Sequence, residues 1–182
     1  MDRRCHQTQH AVRRTLLNLP AGVSMSELQS PAEVADLVQL IDGWLAGFAE
    51  SGEHVLAIDR GTSDETSFGE PRWYVRLAGE SKDIVTIWLT LGQRTLRYET
   101  YVMPAPEENA AELAEQLLRR NDRLVGAHFS VGHEDAVYLR GSIPDSAVTS
   151  NELDRVVGTL YQTVEHAFPA LIRLGFASRF AD

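Results

Sequence analysis

One segment of the chain contains residue types that suggest a metal site. Two histidines, His128 and His133, lie near the acidic pair Glu134–Asp135 and suggest a comparison with metal ligands. Histidines five residues apart on a strand point to opposite faces, and this spacing matches no common zinc-binding pattern. A polar hairpin turn at Gly132–Asp135 accounts for the same residues. We therefore predict no metal site.

A catalytic nucleophile with a neighbouring base is equally hard to assemble from the sequence. The single cysteine, Cys5, lies close to the N-terminus, and Gly141–Ser142 does not have the surroundings of a nucleophile elbow. The pair Glu107–Glu108 is explained as negative charge at the start of a helix. No glycine-rich phosphate loop is present. Because hydrolysis or group transfer needs a nucleophile and a base held together, we predict a non-enzymatic protein without a cofactor.

Composition limits the classes of partner. The 182 residues are 43% hydrophobic and 24% charged, which is typical of one globular domain. A net charge of −9 argues against nucleic acid and against an anionic membrane surface, because both select for basic proteins. No stretch approaches the roughly 20 apolar residues that cross a bilayer. One cysteine permits no internal disulfide. We expect a cytoplasmic protein that binds neither nucleic acid nor membrane.

The N-terminal 28 residues differ from the rest of the chain. We predict that residues 1–28 are a basic, flexible extension, or that translation starts at Met25. A basic arm that folds onto an acidic partner or onto its own domain is the alternative. Residues 29–182 are predicted to form a single α+β domain. The arginines of the extension are Arg3, Arg4, Arg13 and Arg14.

Residues 71–104 organise the predicted fold. Short β-rich runs separated by glycine-containing turns are typical of a meander of hairpins. The three predicted strands are Trp73–Ala78, Ile84–Leu91 and Thr95–Val102. A second hairpin is predicted at Ala127–Val131 and Ala136–Arg140. The segment His54–Asp59 is a candidate short first strand.

Three segments with helical apolar spacing surround these strands. The first, Ala32–Ser51, follows a capping box that begins at Ser30. The second begins after Pro106, and the third opens at a capping box on Thr149. Pro169 is expected to kink or interrupt that last helix.

This order of elements predicts an α+β fold. The sequence of elements is α-βββ-α-ββ-α, in which the strands form an antiparallel sheet made of a three-strand meander plus a hairpin. The helices are expected on one face of the sheet. In particular, we predict that Ala32–Ser51 and Asn151–Phe168 pack on the same face, because both carry long apolar stripes.

Side-chain alternation divides the strands into two faces. The apolar set suits a face covered by helices and consists of Trp73, Val75, Leu77, Val85, Ile87, Leu89, Leu96, Val102, Phe129, Val131, Val137 and Leu139. The alternate set, which we call the mixed face, consists of Tyr74, Arg76, Thr86, Trp88, Arg97, Glu99, Tyr101, His128, Tyr138 and Arg140. Alternation of this kind indicates that the second face is not simply core.

The mixed face is the candidate binding surface. Aromatic residues and arginine are enriched at protein interfaces. The candidate partner-binding residues are Tyr74, Arg76, Trp88, Arg97, Glu99, Tyr101, Tyr138 and Arg140. Two alternatives remain: a solvated face stabilised by cross-strand pairs, and a pocket for a small molecule.

Several stretches resemble a known family. They are RWYVRLAGE, IVTIWLTL, YETYVMPAPEENAAELAEQLLRRN, AVYLRGSIP and ELDRVVGTLY. They are similar to the bacterial YbjN family, also called putative sensory transduction regulators, which resembles the class I type III secretion chaperones in fold. The resemblance covers about Ser30–Phe180. It implies a small α+β domain associated with protein binding or dimerisation, and it carries no catalytic residues.

Together these observations predict a non-enzymatic, chaperone-like or regulatory module. It would act through the sheet face or a dimer interface, with a protein or peptide, or a second copy of the chain, as partner. The alternative is a sensor domain that binds a small ligand in a pocket on the sheet face.

Overall fold

The computed structural model describes residues 29–52, 54–62, 64 and 68–181, so the predicted extension at 1–28 lies outside the described residues. The helices are α1 (Pro31–Ser51), α2 (Ala110–Asn121) and α3 (Ser150–Gly175). The strands are β1 (Val55–Arg60), β2 (Arg72–Ala78), β3 (Ile84–Leu91), β4 (Thr95–Met103), β5 (His128–Val131) and β6 (Val137–Pro144). Short 3₁₀ turns occupy Asp145–Ala147 and Ala177–Phe180.

The strands form one antiparallel sheet in the order β1-β2-β3-β4-β6-β5. This confirms the predicted α+β class, the three-strand meander (β2 to β4) and the later hairpin (β5 and β6). The candidate first strand is present as β1, which pairs with β2 and makes a sixth strand at one edge.

Helix α1 begins where its sequence predicts. The Ser30 hydroxyl accepts a hydrogen bond from the Glu33 backbone N–H at 3.3 Å, and the Glu33 carboxylate accepts one from the Ser30 N–H at 2.7 Å. These two bonds satisfy donors that the first helical turn would otherwise leave open. The Ser30 backbone N–H and the Ser30 hydroxyl both donate to the Glu33 carboxylate, and these two bonds hold the pKa of Glu33 below its usual range.

Helices α1 and α3 lie on the same side of the sheet, as predicted. The Trp73 indole N–H, on the apolar face of β2, donates to Asp42 of α1 at 2.6 Å. The Trp44 indole N–H of α1 donates to Asp154 of α3 at 2.9 Å. The buried side chains of the three helices and of the apolar strand face form one hydrophobic core. Among the predicted core residues, Val131 is 52% exposed, because it ends the edge strand β5.

Helix α2 begins four residues later than Pro106. Asn109, which precedes it, has a left-handed backbone with φ of 53°. The backbone N–H groups of Glu107 and Glu108 donate to the carbonyl of Gly175 at 2.9 and 3.0 Å, which ties this segment to the end of α3. The acidic pair therefore binds the C-terminal turn instead of starting α2.

Helix α3 is not interrupted at Pro169, contrary to that part of the prediction. It runs from Ser150 to Gly175 without a break. Side chains on both sides of the proline are buried, including Val164, Ala167 and Leu171. Burial of this stripe offsets the hydrogen bond that proline cannot donate.

Candidate functional site

The mixed face lies on the side of the sheet opposite to the helices. Strand register places one residue from each of five strands in a single row across it. The row runs Tyr74, Trp88, Glu99, Arg140 and His128, from β2 to β5. Within the described residues, all three helices pack on the other side. The row is therefore the centre of a surface that no described helix covers.

Aromatic rings form a cluster on this face. The rings of Trp88 and Tyr138 have centroids 6.2 Å apart with an interplanar angle of 40°. Tyr101 meets Tyr138 edge-on, at 5.6 Å and 81°. All three side chains are only partly buried. Offset and edge-to-face contacts of this kind are favourable, so the rings support each other while remaining available to a partner.

The arginines of the mixed face are held by carboxylates. Arg140 donates from Nε to Glu99 at 2.7 Å and from Nη1 to Ser130 at 3.2 Å, and its guanidinium lies 4.3 Å from the Tyr138 ring centre. Arg76 pairs with Asp59, and Arg97 pairs with Glu70. Exposed pairs such as these contribute at most about 1 kcal/mol each to stability. Their larger effect is to fix the orientation of the guanidinium groups.

Tyr138 also bonds to the hairpin turn that follows β5. Its hydroxyl donates to the carboxylate of Glu134. That bond, with smaller effects of burial and of the Glu134 charge, raises the pKa of Tyr138 to about 12. The phenol therefore stays protonated at physiological pH, and its hydrogen bond fixes the ring at the centre of the cluster.

Lys82 is a site residue that the sequence did not predict. It is the only lysine of the chain and lies in the turn between β2 and β3. Its ammonium is 5.0 Å from the ring centre of Tyr101 and donates to the Tyr101 carbonyl. Partial burial lowers the pKa of Lys82 to about 8, opposed by the negative charge of Glu165. A lysine within GESKD is typical of a solvated turn. The one feature of the sequence that distinguishes Lys82 is that the chain has no other lysine.

We expect the Lys82 amine to react with an amine-specific acylating reagent with a pH midpoint of about 8, because the neutral amine is the reactive form. An unperturbed lysine has a midpoint of about 10.4. Mass spectrometry of the Lys82 peptide after short pulses between pH 6 and 11 measures the profile. The variant Arg119→Lys introduces an exposed reference lysine on α2. A Lys82 profile that matches the reference lysine would contradict the lowered pKa.

The β2–β3 turn is fixed from the helix side by Glu165 of α3. Its carboxylate accepts hydrogen bonds from the backbone N–H groups of Glu80 at 2.7 Å, Ser81 at 2.7 Å and Lys82 at 3.2 Å. A Cβ at Gly79 would lie 2.2 Å from the Lys82 carbonyl and 2.5 Å from the Glu165 carboxylate, so only glycine fits there. The turn is thus positioned by one helix residue while the Lys82 side chain reaches the mixed face.

Two open grooves cross the mixed face. The first, which we call the aromatic groove, has a volume of about 500 Å³. Its walls include Tyr74, Trp88, Tyr101, Arg76 and Lys82. The second, the arginine groove, has a volume of about 540 Å³, and its lining includes Arg72, Arg97, Arg140 and His128. The aromatic groove therefore offers apolar surface, and both grooves offer cationic groups.

The structure brings all eight candidate partner-binding residues onto this one side of the sheet. Their role in binding a partner stays a prediction. His128 lies on the same face, whereas His133 lies in the hairpin turn. Among the described residues, no group of three or more His, Cys, Asp or Glu side chains is placed to hold a metal ion. None of the described helices has the length and apolar character needed to span a bilayer.

Sequence comparison finds one family and several relatives. The YbjN family model, described as "Putative bacterial sensory transduction regulator", matches residues 52–173. An uncharacterized protein of Mycobacterium tuberculosis strain H37Rv is 38% identical over 108 residues, which are 59% of this chain and 59% of that protein. An uncharacterized protein of Mycobacterium leprae is 33% identical over 130 residues, or 69% of this chain and 70% of the relative. The match thus spans 59% of the length of the Mycobacterium tuberculosis relative.

Two solved structures are similar at a lower level. The heterodimeric ExoU–SpcU complex from the type III secretion system of Pseudomonas aeruginosa contains a chain with a TM-score of 0.46 and 14% identity. This match covers 71% of the present chain and 95% of that chain. The structure of the Yersinia pestis type III secretion chaperone SycH, in complex with a fragment of YscM2, gives a TM-score of 0.46 and 13% identity. This match covers 70% of the present chain and 96% of the matched chain. Similarity at this level assigns no function to the present chain.

Proposed function

Since the chain belongs to the YbjN family of bacterial proteins, described as putative sensory transduction regulators, we propose that it is a non-enzymatic regulatory module that binds a protein partner through the mixed face. The module would act in a chaperone-like way, which means that it recognises its partner by surface complementarity and forms no covalent bond with it. A cytoplasmic location stays a prediction from composition.

The observation that carries the proposal is the aromatic cluster on a sheet face that no described helix covers. Trp88 and Tyr101 each contact Tyr138, and all three side chains are partly exposed. Monomeric proteins seldom expose large contiguous apolar patches, and Trp, Tyr and Arg dominate binding hot spots. The composition and placement of this face therefore support a role in protein binding.

Rigidity is a second supporting feature. The backbone of the face belongs to paired strands whose other side is packed on the hydrophobic core. Arg140 and Arg76 are already oriented by Glu99 and Asp59. Side chains that are ordered before binding lose less conformational entropy in the complex, so more of the contact energy remains as affinity. In this proposal the aromatic groove anchors an apolar side chain of the partner, and the arginines surround it.

A small-ligand sensor is the second candidate, and the aromatic groove is the observation in its favour. Three aromatic walls and two cations would suit an aromatic carboxylate. Both cations of this groove are already engaged within the folded chain, since Arg76 pairs with Asp59 and Lys82 donates to the Tyr101 carbonyl. A ligand carboxylate would have to compete with these partners, and this favours a protein partner.

Affinity capture with matched variants tests the proposal. Wild type, Trp88→Ala and Arg173→Gln are used as baits, because Arg173 is an exposed residue of α3 on the helix side. We expect at least one protein that wild type and Arg173→Gln retain and that Trp88→Ala loses. Equal capture by all three baits would contradict binding through the mixed face. Sedimentation of purified protein identifies a second copy as the partner, and a thermal-shift ligand screen tests the sensor alternative.

A further inference from the structure

We propose that the cleft between α2 and α3 binds a small organic phosphate, whose anionic group lies against Arg120 and Arg123 and whose apolar part packs on Leu124 and Phe129. This α2–α3 cleft has a volume of about 560 Å³ and lies on the helix side of the sheet. It shares no lining residue with either groove of the mixed face. The proposal is independent of the proposed protein-binding function.

Helical spacing turns a polar stripe of α2 toward the cleft. Gln116, Arg119, Arg120 and Arg123 follow one another at i, i+3, i+4 and i+7, so they share one side of the segment. Helix α3 supplies Gln162, Thr163 and His166 from the opposite wall. The side chains of Leu124, Phe129 and Ala167 complete the lining with apolar surface. The cleft thus has hydrogen-bond donors around an apolar floor.

Two arginines of this stripe have no carboxylate partner among the described residues. The protein has 26 acidic and 17 basic residues, and seven described arginines pair with carboxylates of other described residues. The side chains of Arg120 and Arg123 have no hydrogen bond or ion pair within the part of the chain that the structure describes. Two adjacent cations therefore stay uncompensated where acidic partners are abundant.

The negative end of the α2 dipole accounts for only part of this arrangement. A basic residue in the last turn of a helix is favourable, which explains Arg119 and Arg120. Arg123 lies two residues beyond the helix end at Asn121, yet its side chain also lines the cleft. Arg119 already forms an ion pair with Glu115. Arg120 and Arg123 are the two arginines of the cleft without a described carboxylate partner, and they are the pair that a ligand anion would neutralise.

The hydrogen-bond donors of the cleft indicate which class of ligand would fit it. Guanidinium groups bind phosphate and carboxylate through paired N–H donors. One guanidinium satisfies a carboxylate, whereas a phosphate monoester has a charge near −2 and three terminal oxygens, which two guanidiniums and a hydroxyl such as that of Thr163 can share. The apolar part of the lining, to which Leu124 contributes, favours an organic phosphate over inorganic phosphate. The volume lies within the usual range of small-molecule sites.

Isothermal titration of the full chain with phenyl phosphate tests the inference. Inorganic phosphate provides the anion without a ring, and benzyl alcohol provides a ring without charge. We expect phenyl phosphate to bind more tightly than inorganic phosphate, with an affinity that falls as salt is added, and benzyl alcohol to give no saturable binding. Arg120→Gln and Arg123→Gln should each weaken phenyl phosphate binding by about 10-fold or more.

Matched variants make the test specific. Arg173→Gln removes an exposed arginine of α3 outside the cleft and should bind phenyl phosphate as wild type does. Trp88→Ala should also bind it, which separates this inference from the proposed function. Thermal melts verify that the variants are folded. The inference is overturned if phenyl phosphate does not bind, if inorganic phosphate or benzyl alcohol binds equally well, or if folded Arg120→Gln and Arg123→Gln bind unchanged.

Discussion

Trp73→Ala is expected to lower the free energy of unfolding by about 3–5 kcal/mol, the usual cost of deleting a buried tryptophan. Trp73 is 1% exposed, and its indole N–H donates to Asp42 at 2.6 Å. The Arg60 guanidinium also lies 5.4 Å from its ring centre. The variant therefore loses packing and leaves Asp42 with one partner fewer.

Trp88→Ala provides the matched comparison, because Trp88 lies on the next strand but on the opposite face. It is partly exposed, so we expect its removal to cost clearly less stability than that of Trp73. Chemical denaturation followed by circular dichroism measures both variants without relying on tryptophan fluorescence. Equal losses in the two variants would show that the assignment of the two sheet faces is wrong.

Glu165→Ala is expected to lower the free energy of unfolding by about 3 kcal/mol, because three backbone N–H groups of the β2–β3 turn lose one charged acceptor. Glu165→Gln keeps one carbonyl oxygen and should lose less. Hydrogen exchange at the amides of residues 80–82 should accelerate in both variants.

Asp154→Ala is the control for Glu165→Ala. Among the described residues, the Asp154 carboxylate accepts one hydrogen bond, from the Trp44 indole N–H. We expect Asp154→Ala to cost about 1 kcal/mol. If Glu165→Ala is no more destabilising than Asp154→Ala, the carboxylate does not hold the turn, and the position of Lys82 has another cause.

The two sheet faces and the start of α1 were predictable because both depend on local patterns. A period of two in β2 and β3 places Val75 and Ile87 in the core and Tyr74 and Trp88 opposite. The capping box at Ser30 needs only residues three apart. Local rules failed where distant contacts decide: the segment before α2 bonds to Gly175, and packing holds α3 intact through Pro169.

The same distinction applies to the candidate sites. Alternation identified the residues of the mixed face but could not identify Lys82 as one of its neighbours. The turn that carries Lys82 is positioned by Glu165, which is 83 to 85 residues away along the chain. The α2–α3 cleft also forms between two separate helices, so the unpaired state of Arg120 and Arg123 becomes visible only in the folded chain.

The dissociation constant of a purified captured partner, for wild type and Trp88→Ala, tests most directly whether the mixed face is the binding surface. Truncation of an aromatic anchor commonly costs about 2 kcal/mol or more of binding energy, so we predict at least about 30-fold weaker binding by a folded Trp88→Ala protein. Arg173→Gln should bind as wild type does. An unchanged dissociation constant for Trp88→Ala would contradict the assignment of the partner-binding site to this face.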